Sequence, residues 1–127
     1  MRRWILGLVA TAALAGSLAG CLAPTVPIPP PEPERISFSL DVEAGTARFS
    51  YPPTADYSGA VVYVFNRDAG AGVIVTADPD GAVPPTPPFP AQEGDEVVVT
   101  FELDSQFAST CVRLRDGPSS SALECDL

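Results

Sequence analysis

The stretch ISFSLDVEAGTARFSY, residues 36 to 51, alternates apolar and polar side chains on either side of a short break. Ile36, Phe38, Leu40 and Val42 share one face of the first run, and Ala47, Phe49 and Tyr51 share one face of the second. A period of two belongs to a strand with one buried face, whereas an amphipathic helix needs apolar residues three and four apart. Glu43, Ala44 and Gly45 read as the turn between the runs, so the stretch predicts a β-hairpin.

The same grammar continues toward the C-terminus. AVVYVFN at 60 to 66 is apolar on both faces, which predicts a central strand covered on both sides or one that faces a partner. GVIVTAD at 72 to 78 follows a Gly-Ala-Gly turn, and Asp78-Pro79-Asp80-Gly81 is a tight turn in which proline presets φ and glycine accepts a positive one. VPPTPPFP at 83 to 90 cannot be an interior strand and is expected along a sheet edge. GDEVVVTFEL at 94 to 103 turns Val97, Val99, Phe101 and Leu103 inward, and TCVRLR at 110 to 115 does the same with Val112 and Leu114. No segment from Ile36 onward carries helical periodicity. About seven short strands with frequent turns predict one antiparallel, all-β sandwich over residues 36–127.

The runs V-x-V-x-N at 62 to 66, A-D-P-D-G at 77 to 81 and P-A-x-x-G-D-x-V-x-V at 90 to 99 resemble those of bacterial Ig-like and fibronectin-III-like modules. That resemblance implies an Ig-like sandwich and carries almost nothing about activity.

Toward the N-terminus the chemistry changes. Residues 22 to 35, LAPTVPIPPPEPER, hold six prolines, which lack an N–H and favour polyproline II, so residues 21–35 are expected to form a semi-rigid tether. Ahead of them Arg2 and Arg3 precede an apolar, uncharged run from Trp4 to Ala19, the layout of an export signal over residues 1–20. Leu18-Ala19-Gly20-Cys21 resembles the lipobox of bacterial lipoproteins. The resemblance implies cleavage before Cys21, a diacylglyceryl group on its thiol and acylation of the new N-terminus, palmitate being a typical chain. Two or three acyl chains at about 0.8 kcal/mol per buried CH₂ would anchor the protein stably. Leu22 stands where an Asp would favour retention in the inner membrane, so the outer membrane of the cell envelope is the expected destination.

From Cys21 onward five arginines face sixteen acidic residues, a net charge of −11. Such a surface repels nucleic acid and favours basic partners. The chain has no lysine and no histidine, which removes the usual general base, the commonest metal ligand and the Schiff-base amine. No catalytic residue, resident cofactor or metal is therefore expected. Cys111 and Cys125 are expected to form a disulfide in an exported, oxidising setting and to clasp the C-terminus from outside the core.

Other candidate sites are modest. Asp78 and Asp80 offer hard oxygens to calcium but lack an EF-hand spacing and read first as a turn. Ser119 to Ser121 have no histidine or lysine to activate them and read as a turn. Tyr51, Tyr57 and Tyr63 are the rings available to stack on a sugar, and Tyr63 with Phe65 is the expected partner patch if one face of their strand is uncovered. These features together predict a non-enzymatic, lipid-anchored envelope protein, a structural or protein-interaction module with an envelope protein or glycan as partner. The alternatives are an acidic binder or inhibitor of a basic extracellular protein such as a lysozyme, and a carbohydrate- or calcium-binding adhesive module.

Overall fold

The computed structural model describes residues 26–127. The expected signal, the expected lipidation site Cys21 and Leu22 lie outside the described residues. Nine strands form two antiparallel sheets, in the order β5-β2-β1-β8 and β4-β3-β6-β7-β9. The strands are β1 (Ser37–Asp41), β2 (Thr46–Ser50), β3 (Val61–Asn66), β4 (Ala71–Thr76), β5 (Phe89–Pro90), β6 (Glu96–Leu103), β7 (Gln106–Arg113), β8 (Gly117–Pro118) and β9 (Glu124–Cys125). Helical structure among the described residues is limited to three-residue 3-10 turns. The chain is a β-sandwich.

The period-two stretches pair as their patterns require. In the β1–β2 hairpin Phe38 lies opposite Phe49 and Leu40 opposite Ala47. Val42 departs from the expectation: it is 81% exposed, because the strand stops at Asp41. The Asp41 carboxylate accepts the Ala44 N–H at 3.1 Å and its carbonyl accepts the Gly45 N–H at 2.9 Å, so Val42 is drawn into the loop. Gly45 closes that loop at φ 67°.

The core is an aromatic seam between valine-lined sheets. Phe101 of β6 stacks on Tyr57 at 4.0 Å between ring centroids and meets Tyr51 edge-on at 5.3 Å. Phe38, Phe49 and Phe89 continue the seam across the smaller sheet. Val62, Val64, Val97, Val99 and Val112 bury fully against it. Each such side chain contributes about 1.5–3 kcal/mol relative to exposure.

Three elements escaped the sequence pattern. β7 begins at Gln106, ahead of Thr110, because β6 and β7 are joined by a two-residue turn with positive φ at both Asp104 (50°) and Ser105 (64°). This geometry matches the right-handed twist of a hairpin but normally recruits Asn-Gly, so Asp-Ser gives little signal. β8 and β9 are two residues each and too short to show a period.

The proline-rich segment is not free of the domain. From Ile28 onward its residues bond to the sandwich, eight residues ahead of the expected boundary at Ile36. The Ile28 N–H donates to Gln106 Oε1 at 2.9 Å, and the Glu32 N–H donates to the Tyr51 hydroxyl at 3.1 Å. Tyr57 Oη donates to the Pro29 carbonyl at 2.6 Å, and Thr110 Oγ1 donates to the Pro31 carbonyl at 2.5 Å. Proline offers an acceptor and no donor. Hydroxyls at the open side of the core are the complementary groups, and Pro31 is buried among them. The second proline run, 84 to 88, follows a sheet edge as expected: Thr86 exchanges backbone and side-chain bonds with Phe49, then β5 pairs with β2.

Candidate interaction surface

Strand alternation sorts the larger sheet into two faces. The inward set of β3 is Val62, Val64 and Asn66, and the outward set is Val61, Tyr63 and Phe65. Register then places Ile74 opposite Tyr63 and Gly72 opposite Phe65 on β4, and Thr100 and Val98 opposite the same two residues on β6. Phe65 is 46% exposed, Ile74 68% and Phe107 63%. Tyr63 is half-buried, with its hydroxyl donating to Glu102 Oε1 at 2.8 Å. That bond raises the phenol above its ordinary value, since ionisation would set two negative charges together. Of the two outcomes expected for AVVYVFN, the strand is therefore the one with an open face. Tyr63, Phe65 and Ile74, with Val64, Gly72 and Val73 beneath, line a shallow groove of about 330 Å³.

The remaining tyrosines serve the core. Tyr51 and Tyr57 are 4% and 2% exposed, and burial raises both phenols, so neither offers a ring to a ligand. Arg35 lies over the Tyr51 ring at 5.7 Å and donates to the Pro53 carbonyl, closing that end of the sandwich.

At the opposite end Asn66 organises the start of β4. It is fully buried at the tip of β3, and its side-chain amide donates to the Pro90 carbonyl at 3.0 Å and to Asp95 Oδ2 at 2.8 Å. Its oxygen accepts the N–H groups of Asp68 and Ala69. One side chain thus ties the β3–β4 turn to β5 and to the loop before β6. The sequence marked this asparagine only as part of V-x-V-x-N. Its alternation with Val62 and Val64 was the available signal for burial.

The cysteines are joined. Cys111 and Cys125 form a disulfide with Cα atoms 5.0 Å apart, directly opposite each other in the β7–β9 pair. Cys111 sits on the outward face with Val98, as the alternation with Val112 requires, yet is 2% exposed. Arg67 covers it: the guanidinium pairs with Glu96, donates to the Asp126 carbonyl at 2.7 Å and approaches the Cys111 sulfur at 3.2 Å. Among the described residues the one group of three metal-type side chains is Glu96, Cys111 and Cys125, whose sulfurs are already bonded to each other.

Asp78 and Asp80 occupy the expected turn. The Gly81 N–H donates to the Asp78 carbonyl at 2.8 Å, and Asp80 Oδ1 accepts the Ala82 N–H at 3.0 Å. Gly81 has φ 82°, and a side chain there would meet the Thr54 carbonyl oxygen at 1.7 Å, so only glycine fits. Neither aspartate belongs to a cluster of three ligating side chains among the described residues. Ser119 to Ser121 form the turn into β9, with the Ser119 N–H donating to the Ile36 carbonyl.

Each of the five described arginines is bonded within the chain: Arg35 to Pro53, Arg48 to Thr86, Arg67 and Arg113 to Glu96, and Arg115 to Pro118. The surplus acidic residues consequently set the character of the surface. No family model, curated protein or solved structure matches the chain.

Proposed function

We propose that the chain is a non-enzymatic, lipid-anchored protein of a bacterial cell envelope whose Ig-like sandwich is a protein-interaction module. The observation that carries the interaction role is the open face of the larger sheet, where Phe65, Ile74 and Phe107 are each about half exposed or more. Tyr63, Phe65 and Ile74 adjoin in one groove on that face, and adjoining exposed apolar side chains mark a contact site rather than a solvated surface. The lipobox at Leu18 to Cys21 supports the anchor and the outer membrane as its location. The absence of lysine and histidine supports a binding role over catalysis.

The strand order favours the Ig-like reading. β1, β2 and β5 form one sheet while β3, β6 and β7 form the other, the division of strands A, B, E and C, F, G in that fold, and β4 joins β3 as in the variable-type arrangement. The docked prolines shorten the tether. Six residues separate Cys21 from Ile28, which at about 3.1 Å each span roughly 19 Å, so the domain works close to the lipid surface.

The test immobilises the full chain in detergent and exposes it to envelope extract beside a Phe65→Ser, Phe107→Ser variant. Capture of a specific envelope protein by the first and not the second supports the module. Equal capture by both, or none by either, contradicts it. The net charge of −11 favours a second reading, a binder of a basic extracellular protein. It predicts a captured partner of high pI that is released by salt.

A further inference from the structure

Three of the four sheet edges are closed. β5, β8 and β9 are two residues long; the first two end in proline and the third is held by the disulfide. β4 is different. It is the other margin of the larger sheet, six residues, AGVIVT, with no charge and no proline.

The direction of its free groups follows from the ladder. The Ala77 N–H donates to the Ala60 carbonyl at 2.7 Å, and this pair continues the register in which Val61 faces Thr76. Bonded and non-bonded pairs alternate along antiparallel strands. Val75, Val73 and Ala71 therefore bond to β3, while Gly72, Ile74 and Thr76 turn their N–H and C=O groups to the free side. Among the described residues these six groups have no partner. All three residues are exposed, and the groove of Tyr63, Phe65 and Ile74 adjoins them.

We propose that β4 receives an extended segment of a partner protein, apolar at alternate residues and carrying Lys or Arg at the end that lies beside Asp78 and Asp80, as a sixth strand of the larger sheet. The inference rests on the interaction-module reading and specifies its partner. Backbone bonds to Gly72, Ile74 and Thr76 would supply affinity, and the groove would take alternate side chains. Charge selects one flank: exposed Asp78 and Asp80 lie just after β4, while Asp68, just before it, turns its carboxylate to the Glu96 N–H on the far side of β3, and Arg67 is committed to Glu96 and the C-terminus. A second copy fits poorly. The two-fold register that pairs all the free groups sets Ile74 against Ile74 and brings together two chains that each carry a net charge of −11 from Cys21 onward, which repel.

The test titrates the full chain, in detergent, with a short synthetic peptide bearing paired lysines at each end of an alternating valine–threonine core, so that either strand direction sets one pair beside Asp78 and Asp80. Salt-sensitive binding is expected, weakened about tenfold or more by glutamate ends and abolished by N-methylation of alternate core residues. Ile74→Pro removes an outward N–H without touching the β3 ladder and is expected to lose the peptide. Ile74→Lys, which keeps the backbone intact and adds repulsion, serves if the proline variant melts early. No binding, or equal binding by the wild type and both variants, overturns the proposal. So does a dimer in sedimentation that Ile74→Pro dissolves, which would give the edge to a second copy. An envelope protein lost on Phe65→Ser but retained by Ile74→Pro would overturn the edge while leaving the interaction module standing.

Discussion

At one margin of the larger sheet β9 is two residues long, stapled to β7 by a disulfide and crossed by Arg67; at the other β4 runs six residues, uncharged and uncovered. Both margins end the same sheet, so the fold alone does not explain the difference. Unpaired strand edges invite association, and proteins ordinarily shorten, charge or interrupt them with proline. The smaller sheet follows that rule on both sides, at Phe89–Pro90 and Gly117–Pro118. The exception at β4 lies beside the groove of Tyr63, Phe65 and Ile74, which joins the open edge and the open face into one surface.

The comparison can be broken from its closed side first. Replacing Cys111 and Cys125 by serine together frees β9, and the chain-entropy model gives a loss of about 3 kcal/mol for a loop of this length. Denaturant unfolding of the oxidised wild type against the double variant measures it. Asn66→Ala comes next. It removes the donor to the Pro90 carbonyl and one of the two donors to Asp95 Oδ2, and it loosens the turn into β4, an expected cost of about 2 kcal/mol. The same titration checks it, and poorer peptide binding would tie the site's geometry to this residue.

Smaller effects sharpen the contrast. Thr110→Val removes the donor to Pro31, with an expected cost of about 1 kcal/mol and faster amide exchange at Ile28 and Glu32. Ile74→Lys is expected to change stability by no more than about 0.5 kcal/mol, because the side chain is 68% exposed. A large loss on melting this variant would mean that β4 is covered after all. The smallest effect concerns Glu34, whose carboxyl lies below its ordinary 4.5 because its own backbone N–H and then Ser121 donate to it. A lowered folded value adds stability above the ordinary value and loses it as pH falls through the folded one. Glu34→Gln is expected to lower stability slightly at pH 7 and to converge with the wild type at low pH, which flattens the acid limb of a pH–stability profile.

The sequence and the structure agree where periodicity is long. Ile36 to Asp41 and Ala47 to Tyr51 alternate apolar and polar residues, Val97, Val99 and Phe101 recur at every second position, and each apolar set packs into the core, so the sandwich follows from them. Agreement ends where a local bond outweighs the pattern, as at Val42, or where a turn uses residues outside its usual repertoire, as at Asp104 and Ser105. Proline runs were legible as non-helical and unsuited to an interior strand. Their docking depended on hydroxyls of Tyr57 and Thr110 that are distant in the chain. For the candidate surface, the two-sided apolar character of AVVYVFN pointed to Tyr63 and Phe65. Ile74 and Phe107 joined them only through register, which a single strand does not encode.

The open edge of β4 is tested most directly by residue-resolved amide hydrogen exchange, with and without the lysine-flanked peptide. In the free protein the amides of Gly72, Ile74 and Thr76 are expected to exchange fast while those of Val73, Val75 and Ala77 are protected, and the peptide should slow the first three. Uniform protection along β4 in the free monomer, or a bound peptide that leaves Gly72, Ile74 and Thr76 unprotected, would contradict the account.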